Sequence, residues 1–159
     1  MRLRQSYPAT WEVPPLRVQE LVQSRKDIFS IHDECTVHDA ARYMRDHNIR
    51  SVGVLNTAGQ LVGVVSQSDI SNKVAAENKC PAWMRISEIM TRDLLTVRPD
   101  VPLDECLLLM EKHGVFHLLV VEESGRFLGM ISVADLLQVI ASDHKARADM
   151  FEAFVFPQR

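Results

Sequence analysis

Two short stretches of the sequence place a hydroxyl and a carboxylate at the same spacing. Ser66 precedes Asp69 by three residues, and Ser132 precedes Asp135 in the same way. A carboxylate only accepts hydrogen bonds, so it suits two adjacent hydroxyl donors such as a sugar diol. The serine hydroxyl and the unpaired amides of a helix start suit a phosphate. The same residues also cap a helix without any ligand, so a structural and a binding interpretation are both open.

These stretches belong to an internal repeat. Residues 27–70 align without a gap with 93–136, and the segments upstream align only if the first copy carries two extra residues near 24–26. Each copy has apolar residues at i, i+3, i+4 and i+7, which predicts an amphipathic helix. Two β-rich runs split by a glycine-containing turn follow and predict a hairpin. The predicted strands of the two copies are 28–31 and 94–97, 52–55 and 118–121, and 61–65 and 127–131.

The predicted fold class is α/β (α+β), with two β-α-β-β-α modules. One three-stranded module of about 60 residues would bury too little surface to be stable alone. Two modules packed sheet against sheet would bury enough, so we expect a pseudo-twofold pair.

Composition and charge exclude several classes of protein. Hydrophobic residues make up 47% and charged residues 25%, as in ordinary globular proteins. The net charge of -3 does not favour nucleic-acid binding. No apolar run is long enough to span a bilayer, and the start lacks the apolar core of a signal peptide. Three cysteines without a C-x-x-C pair fit a reducing compartment. We therefore expect a soluble, cytoplasmic protein that binds neither membranes nor nucleic acid.

The repeat resembles a pair of CBS (cystathionine beta-synthase) domains, also called a Bateman module. The resemblance is carried by the two Gly-apolar-apolar-Ser-x-x-Asp stretches, by Ile-Ser-Glu-Ile-Met-Thr at 86–91 and by Thr-Val-x-Pro at 96–99. It covers about residues 16–141. The predicted organisation is an extended, proline-rich N-terminal arm at 1–15, CBS domain 1 at 16–80, CBS domain 2 at 81–141 and a C-terminal helical tail at 142–159.

The resemblance implies regulation by a small ligand held in clefts between the modules. Such clefts often hold AMP, ADP or ATP, and sometimes S-adenosylmethionine or a dinucleotide such as NAD. The Asp of each motif would bind the ribose diol, the Ser would contact phosphate, and the first strand and the residues before the hairpin would hold the base. The implied ligand-binding residues are Ser30, Ile31, Ile49, Arg50, Ser66 and Asp69 in the first copy, and Thr96, Val97, Val115, Phe116, His117, Ser132 and Asp135 in the second. With Arg50 in one set and His117 in the other, we expect one basic residue per cleft.

The sequence does not favour catalysis. It contains no Walker loop, no G-x-S-x-G and no H-E-x-x-H, and it repeats the same groups, whereas catalysis requires groups with different roles. A metal site at 32–38 is disfavoured because the second copy lacks its ligands. We therefore predict no catalytic residue, no metal and no cofactor beyond an adenosine-containing ligand. The expected function is energy sensing and signal transduction by a homodimer that acts on a regulated partner not yet identified. The alternative is a structural or dimerisation module that binds no nucleotide.

Overall fold

The computed structural model of the protein describes residues 14–155, apart from the side chains of residue 147 and residues 150–155. Residues 1–13 of the predicted N-terminal arm and residues 156–159 of the predicted C-terminal tail lie outside the described residues. Within the described range, none of the helices has the length and apolar character needed to cross a bilayer.

The first repeat forms one three-stranded sheet with its helices. Its elements are helix α1 (Val18–Gln23), strand β1 (Ser30–His32), helix α2 (Val37–Asp46), strands β2 (Ser51–Leu55) and β3 (Leu61–Ser66), and helix α3 (Gln67–Ile70), which continues as a π-helical turn (Ser71–Ala75). The amphipathic pattern in the sequence places Val37, Ala40 and Met44 of α2 in the core.

The second repeat reproduces this order. Its elements are a 3₁₀ turn (Ile86–Glu88), strand β4 (Thr96–Val97), helix α4 (Leu103–His113), strands β5 (His117–Val121) and β6 (Phe127–Ser132), and helix α5 (Val133–Val155). The predicted pair of β-α-β-β-α modules is confirmed. The start of the predicted tail continues α5, which is one helix of 23 residues.

The two sheets have the same topology and face each other. Their strand orders are β1-β2-β3 and β4-β5-β6, with the first strand parallel to the central one and the hairpin antiparallel. Gly53 of β2 packs under the ring of Phe127 of β6, and a Cβ atom at residue 53 would lie 2.7 Å from that ring. The absence of a side chain at Gly53 therefore allows the sheets to approach closely.

The segments that lead into each repeat are exchanged between the two cores. Val18 and Leu21 of α1, at the start of the first repeat, are buried in the core of the second sheet. Ile86, Ile89 and Met90, at the start of the second repeat, are buried in the core of the first sheet. Separating the modules would expose apolar side chains of both cores, so this exchange couples the two modules.

Candidate functional site

Both Ser-x-x-Asp stretches form reciprocal capping boxes. The backbone N–H groups of Ser66 and Ser132 donate to Oδ2 of Asp69 and Asp135 at 2.8 Å, and each aspartate N–H donates to its serine Oγ at 3.2 Å. Each serine hydroxyl also donates to the same Oδ2 atom, at 2.9 and 2.8 Å. The structural interpretation therefore holds at both helix starts, and the serines fix the orientation of the carboxylates.

The two carboxylates differ in their surroundings, and Asp135 lines a large cavity between the modules. This cavity, which we call the Arg25 cleft, has a volume of about 560 Å³, within the range of small-molecule sites. It is lined by Arg25, Lys26, Asp27, Ile28, Phe29, Asn48, Ile49, Arg50, Ser51, His117, Leu128, Gly129, Met130, Ser132 and Asp135. The cleft thus combines the α1–β1 segment and the turn before β2 with β5, β6 and the start of α5.

Five of the residues predicted from the sequence come together here. Ile49 and Arg50 of the first repeat line the cleft together with His117, Ser132 and Asp135 of the second. The site is therefore built from non-equivalent parts of the two copies.

One side of the Arg25 cleft is apolar. Ile28, Phe29 and Ile49 line it, and Ile28 is largely exposed for an apolar residue. The ring of Phe29 is held by edge contacts to Tyr43 and His47, with centroids 6.4 and 5.1 Å away. A planar heterocycle could pack against this wall, since aromatic and aliphatic surfaces suit such a ring.

The other side carries more positive charge than the sequence predicted. Arg25, Lys26 and Arg50 all line the same cavity, together with the carboxylates of Asp27 and Asp135. The expectation of one basic residue per cleft was wrong, because the α1–β1 segment adds two further cations to the same cavity.

Asp135 is paired with one of these cations. Nη2 of Arg25 lies 2.7 Å from its Oδ2 atom, and Nη1 of Arg25 donates to the carbonyl oxygen of Met130. Burial alone would raise the pKa of Asp135, but the hydrogen bonds from Ser132 and the charge of Arg25 together hold it below its usual value. The carboxylate is therefore ionised at neutral pH and is suited to accept hydrogen bonds from hydroxyl groups.

His117 adds a titratable group to the cleft. Its partial burial lowers the pKa of the imidazole, and the charge of Asp135 only partly opposes this effect. The ring is therefore largely neutral at pH 7 and can donate or accept a hydrogen bond.

The remaining predicted residues lie in several different places. Ile31 and Val97 are buried in the two cores, so only their backbone could meet a ligand. Ser30 lies in β1 opposite Gly53. Thr96 lines a separate cavity of about 450 Å³ near the two hairpins. Val115 and Phe116 line a third, of about 420 Å³, beside α4 and α5.

The surroundings of Asp69 are closed by its own chain. Nζ of Lys73 lies 2.8 Å from Oδ1 of Asp69 and donates to the carbonyl oxygen of Ile89 at 2.6 Å. The Asp69 side chain is 16% exposed, against 35% for Asp135. The carboxylate that corresponds to Asp135 by sequence is thus held on both oxygens by protein groups.

The lead-in segments explain this difference. Thr91 pairs with Val64 of β3 through two backbone hydrogen bonds of 2.8 and 3.0 Å, which places the second lead-in directly beside this edge strand. Met90 covers Gly63 so closely that a Cβ atom there would overlap its Sδ atom.

The corresponding contact between the first lead-in segment and β6 of the second repeat is looser. The nearest atom to a Cβ built on Gly129, which corresponds to Gly63, belongs to Val22 and lies 4.0 Å away. Met130 corresponds to Val64, yet its carbonyl accepts from the Arg25 side chain instead of a backbone amide. The two extra residues near 24–26 thus lift the chain away from β6 and leave room for the Arg25 cleft.

Sequence reasoning missed Arg25, Lys26 and Phe29 as site residues. The available signal was the two-residue offset in the repeat, which marks the one place where the copies differ in length.

Comparison with known proteins identifies the family of the chain. The family model of the CBS domain matches twice, at residues 18–76 and 86–142. The uncharacterized protein MK0525 of Methanopyrus kandleri is 29% identical over 116 residues, which cover 73% of this chain and 59% of that protein. A homoserine O-acetyltransferase of Methanohalophilus mahii is 36% identical over 107 residues, which cover 67% of this chain but 21% of the enzyme.

A solved structure shows the same fold. The CBS domain pair of protein MJ0100, in complex with 5′-methylthioadenosine and S-adenosyl-L-methionine, has a TM-score of 0.72 and 28% identity and covers 82% of this chain and 99% of that one. The chain therefore belongs to the CBS domain family and is a CBS-pair regulatory module. It spans 59% and 21% of the length of the two curated relatives named above.

Proposed function

We propose that the protein senses an adenosine-containing ligand in the Arg25 cleft. The observation that carries this proposal is the lining of that cavity, which combines the apolar side chains of Phe29 and Ile49 with the ionised carboxylate of Asp135. The base would pack on the apolar wall and the ribose hydroxyls would donate to Asp135. Arg50 and Lys26 would neutralise the phosphates of AMP, ADP or ATP.

The signal would be a change in the relation between the two modules. The Arg25 cleft takes its walls from both sheets, and the lead-in segments connect each module to the core of the other. A ligand that touches both walls stabilises the arrangement it binds best, and a regulated partner protein would detect that shift. The duplicated positions of the two copies do not provide a nucleophile and a base, so the role that we propose is regulation and not catalysis.

A thermal unfolding screen tests ligand binding. Adenosine, AMP, ADP, ATP, 5′-methylthioadenosine, S-adenosylmethionine and NAD would each be added at millimolar concentration. A ligand present at 100 times its dissociation constant stabilises the folded state by about 2.7 kcal/mol, which for a chain of this size raises the melting temperature by roughly 5–10 °C. If none of these compounds moves the transition, the proposed function is wrong.

We also propose that the module pairs with a second copy through α4 and α5. Leu108, Phe116 and Leu137 are large apolar residues that lie exposed on this side of the second module, and Phe116 is 74% exposed. Such a patch on the surface favours burial against another chain. Sedimentation should detect a dimer that Leu137→Asp converts to a monomer. A wild-type chain that sediments as a monomer at all concentrations would contradict this.

The same surface favours a second candidate function, a dimerisation module that binds no nucleotide. The two candidates differ in the thermal screen. A dimer without any ligand-induced shift would support the second.

A further inference from the structure

We propose that Arg25 determines which adenosine compounds the cleft prefers, by exchanging its partner from Asp135 to a ligand phosphate. This inference rests on the proposed function. It concerns a residue in the segment near 24–26, where the first repeat carries two extra residues.

The Asp135 carboxylate is already crowded with hydrogen-bond donors on one of its oxygens. The backbone N–H and the hydroxyl of Ser132 and Nη2 of Arg25 all bond to Oδ2, at 2.7–2.8 Å. A carboxylate offers about four lone-pair positions. Oδ2 thus already accepts from three donors, more than its two lone pairs. A ribose diol that donates one hydroxyl to each carboxylate oxygen would add a fourth donor to Oδ2, so we infer that one of the present donors leaves. The Ser132 contacts belong to the cap of α5, which leaves Arg25 as the group to be displaced.

The displaced guanidinium of Arg25 would remain partly buried in the cleft. The Arg25 side chain is only 31% exposed, and Nη1 is anchored on the carbonyl oxygen of Met130 inside the cleft. A guanidinium that loses its carboxylate in such a place needs another anion, because a partly buried charge without a partner is unfavourable. A phosphate on the same ligand supplies that anion and accepts a bidentate contact from arginine.

Arg25 should therefore change the affinity of the cleft in opposite directions for ligands with and without a phosphate. Adenosine and 5′-methylthioadenosine would break the ion pair between Arg25 and Asp135 without replacing it. AMP would break the same pair and give Arg25 a new partner, with Lys26 and Arg50 in the same cavity. Arg25 thus opposes the binding of the nucleoside and favours the binding of the nucleotide.

The test is isothermal titration of wild type, Arg25→Met and Arg25→Lys with adenosine and with AMP. For Arg25→Met we expect adenosine to bind about 2- to 5-fold more tightly, the range of a partly exposed ion pair. AMP should bind about 10-fold or more weakly, as expected for the loss of a charged hydrogen bond. Arg25→Lys keeps the charge and should retain part of the preference for AMP. Lys73→Met, which removes the corresponding cation beside Asp69, is the matched control and should change neither affinity.

The outcomes separate the two proposals. If the wild type binds neither compound, the proposed function is wrong and the role of Arg25 falls with it. If the wild type binds both and Arg25→Met changes both affinities by the same factor, or weakens adenosine binding, only the role of Arg25 is overturned. The melting temperature of each variant shows whether a loss of affinity comes from a loss of folding.

Discussion

The substitutions Asp135→Asn and Asp69→Asn should have different effects on ligand binding, although both remove a carboxylate that caps a helix. Asp135 faces the Arg25 cleft, while Asp69 is held by Lys73 and covered by the second lead-in. Although the two residues correspond by sequence, we expect Asp135→Asn to weaken the binding of AMP and Asp69→Asn to leave it unchanged.

The expected magnitude follows from the contacts of Asp135. Asn keeps the size of the side chain and one acceptor oxygen but loses the charge that strengthens the hydrogen bonds from the ribose. A hydrogen bond to a charged group contributes about 1.5–3 kcal/mol, which is roughly a 10- to 150-fold change in the dissociation constant. The loss of the partly exposed pair with Arg25 should cost the fold no more than about 1 kcal/mol, so the variant remains folded.

Isothermal titration with AMP measures this change in affinity. Titration with a second ligand tests whether the change comes from the contact between Asp135 and the ribose hydroxyls. 2′-Deoxy-AMP lacks one hydroxyl donor, so Asp135→Asn should weaken its binding less than that of AMP. Equal weakening by Asp135→Asn and Asp69→Asn would refute the assignment of the ligand to the Arg25 cleft. So would an unchanged affinity in Asp135→Asn.

Three further predictions concern packing, thiol chemistry and pH. Gly53→Val should lower the free energy of urea unfolding by about 1–3 kcal/mol, because its side chain would collide with Phe127; an unchanged midpoint would contradict the close sheet packing. Iodoacetamide should label the exposed Cys80 well before Cys106, since burial raises the pKa of Cys106 to about 11; mass spectrometry after partial labelling checks the order. Burial lowers the pKa of His117, so the unfolded chain takes up a proton near pH 6.5 that the folded chain resists, and stability falls as pH drops below that value. His117→Asn should reduce this loss between pH 7.5 and 5.5, and an identical pH profile in the variant would refute it.

The sequence predicted the modules well because their signals are local. The periodicity of Val37, Ala40 and Met44 follows directly from burying one face of a helix, and the structure buries all three. The glycine-containing turns likewise locate both hairpins. The strand boundaries agree within one residue, except at the starts of the short first strands, where β1 begins at Ser30 and not at Ile28 and β4 begins at Thr96 and not at Leu94.

The site was less predictable because it depends on how the copies meet. A repeat alignment compares equivalent positions, such as Asp69 with Asp135, but the cleft combines Arg50 of one copy with Asp135 of the other. The asymmetry between the two carboxylates arises from two inserted residues, whose effect on the path of the chain cannot be read from their types. The sequence therefore placed Arg25 in a short connecting segment and did not predict it as a site residue. In the structure its guanidinium forms an ion pair with Asp135 in the cleft.

A crystal structure of the protein with AMP would test the central proposal most directly. We expect density for one nucleotide per chain, with its base against Phe29 and Ile49, its ribose hydroxyls on Asp135 and its phosphate on Arg25. A nucleotide bound beside Asp69 instead, or on the surface of α4 and α5, would contradict the proposal.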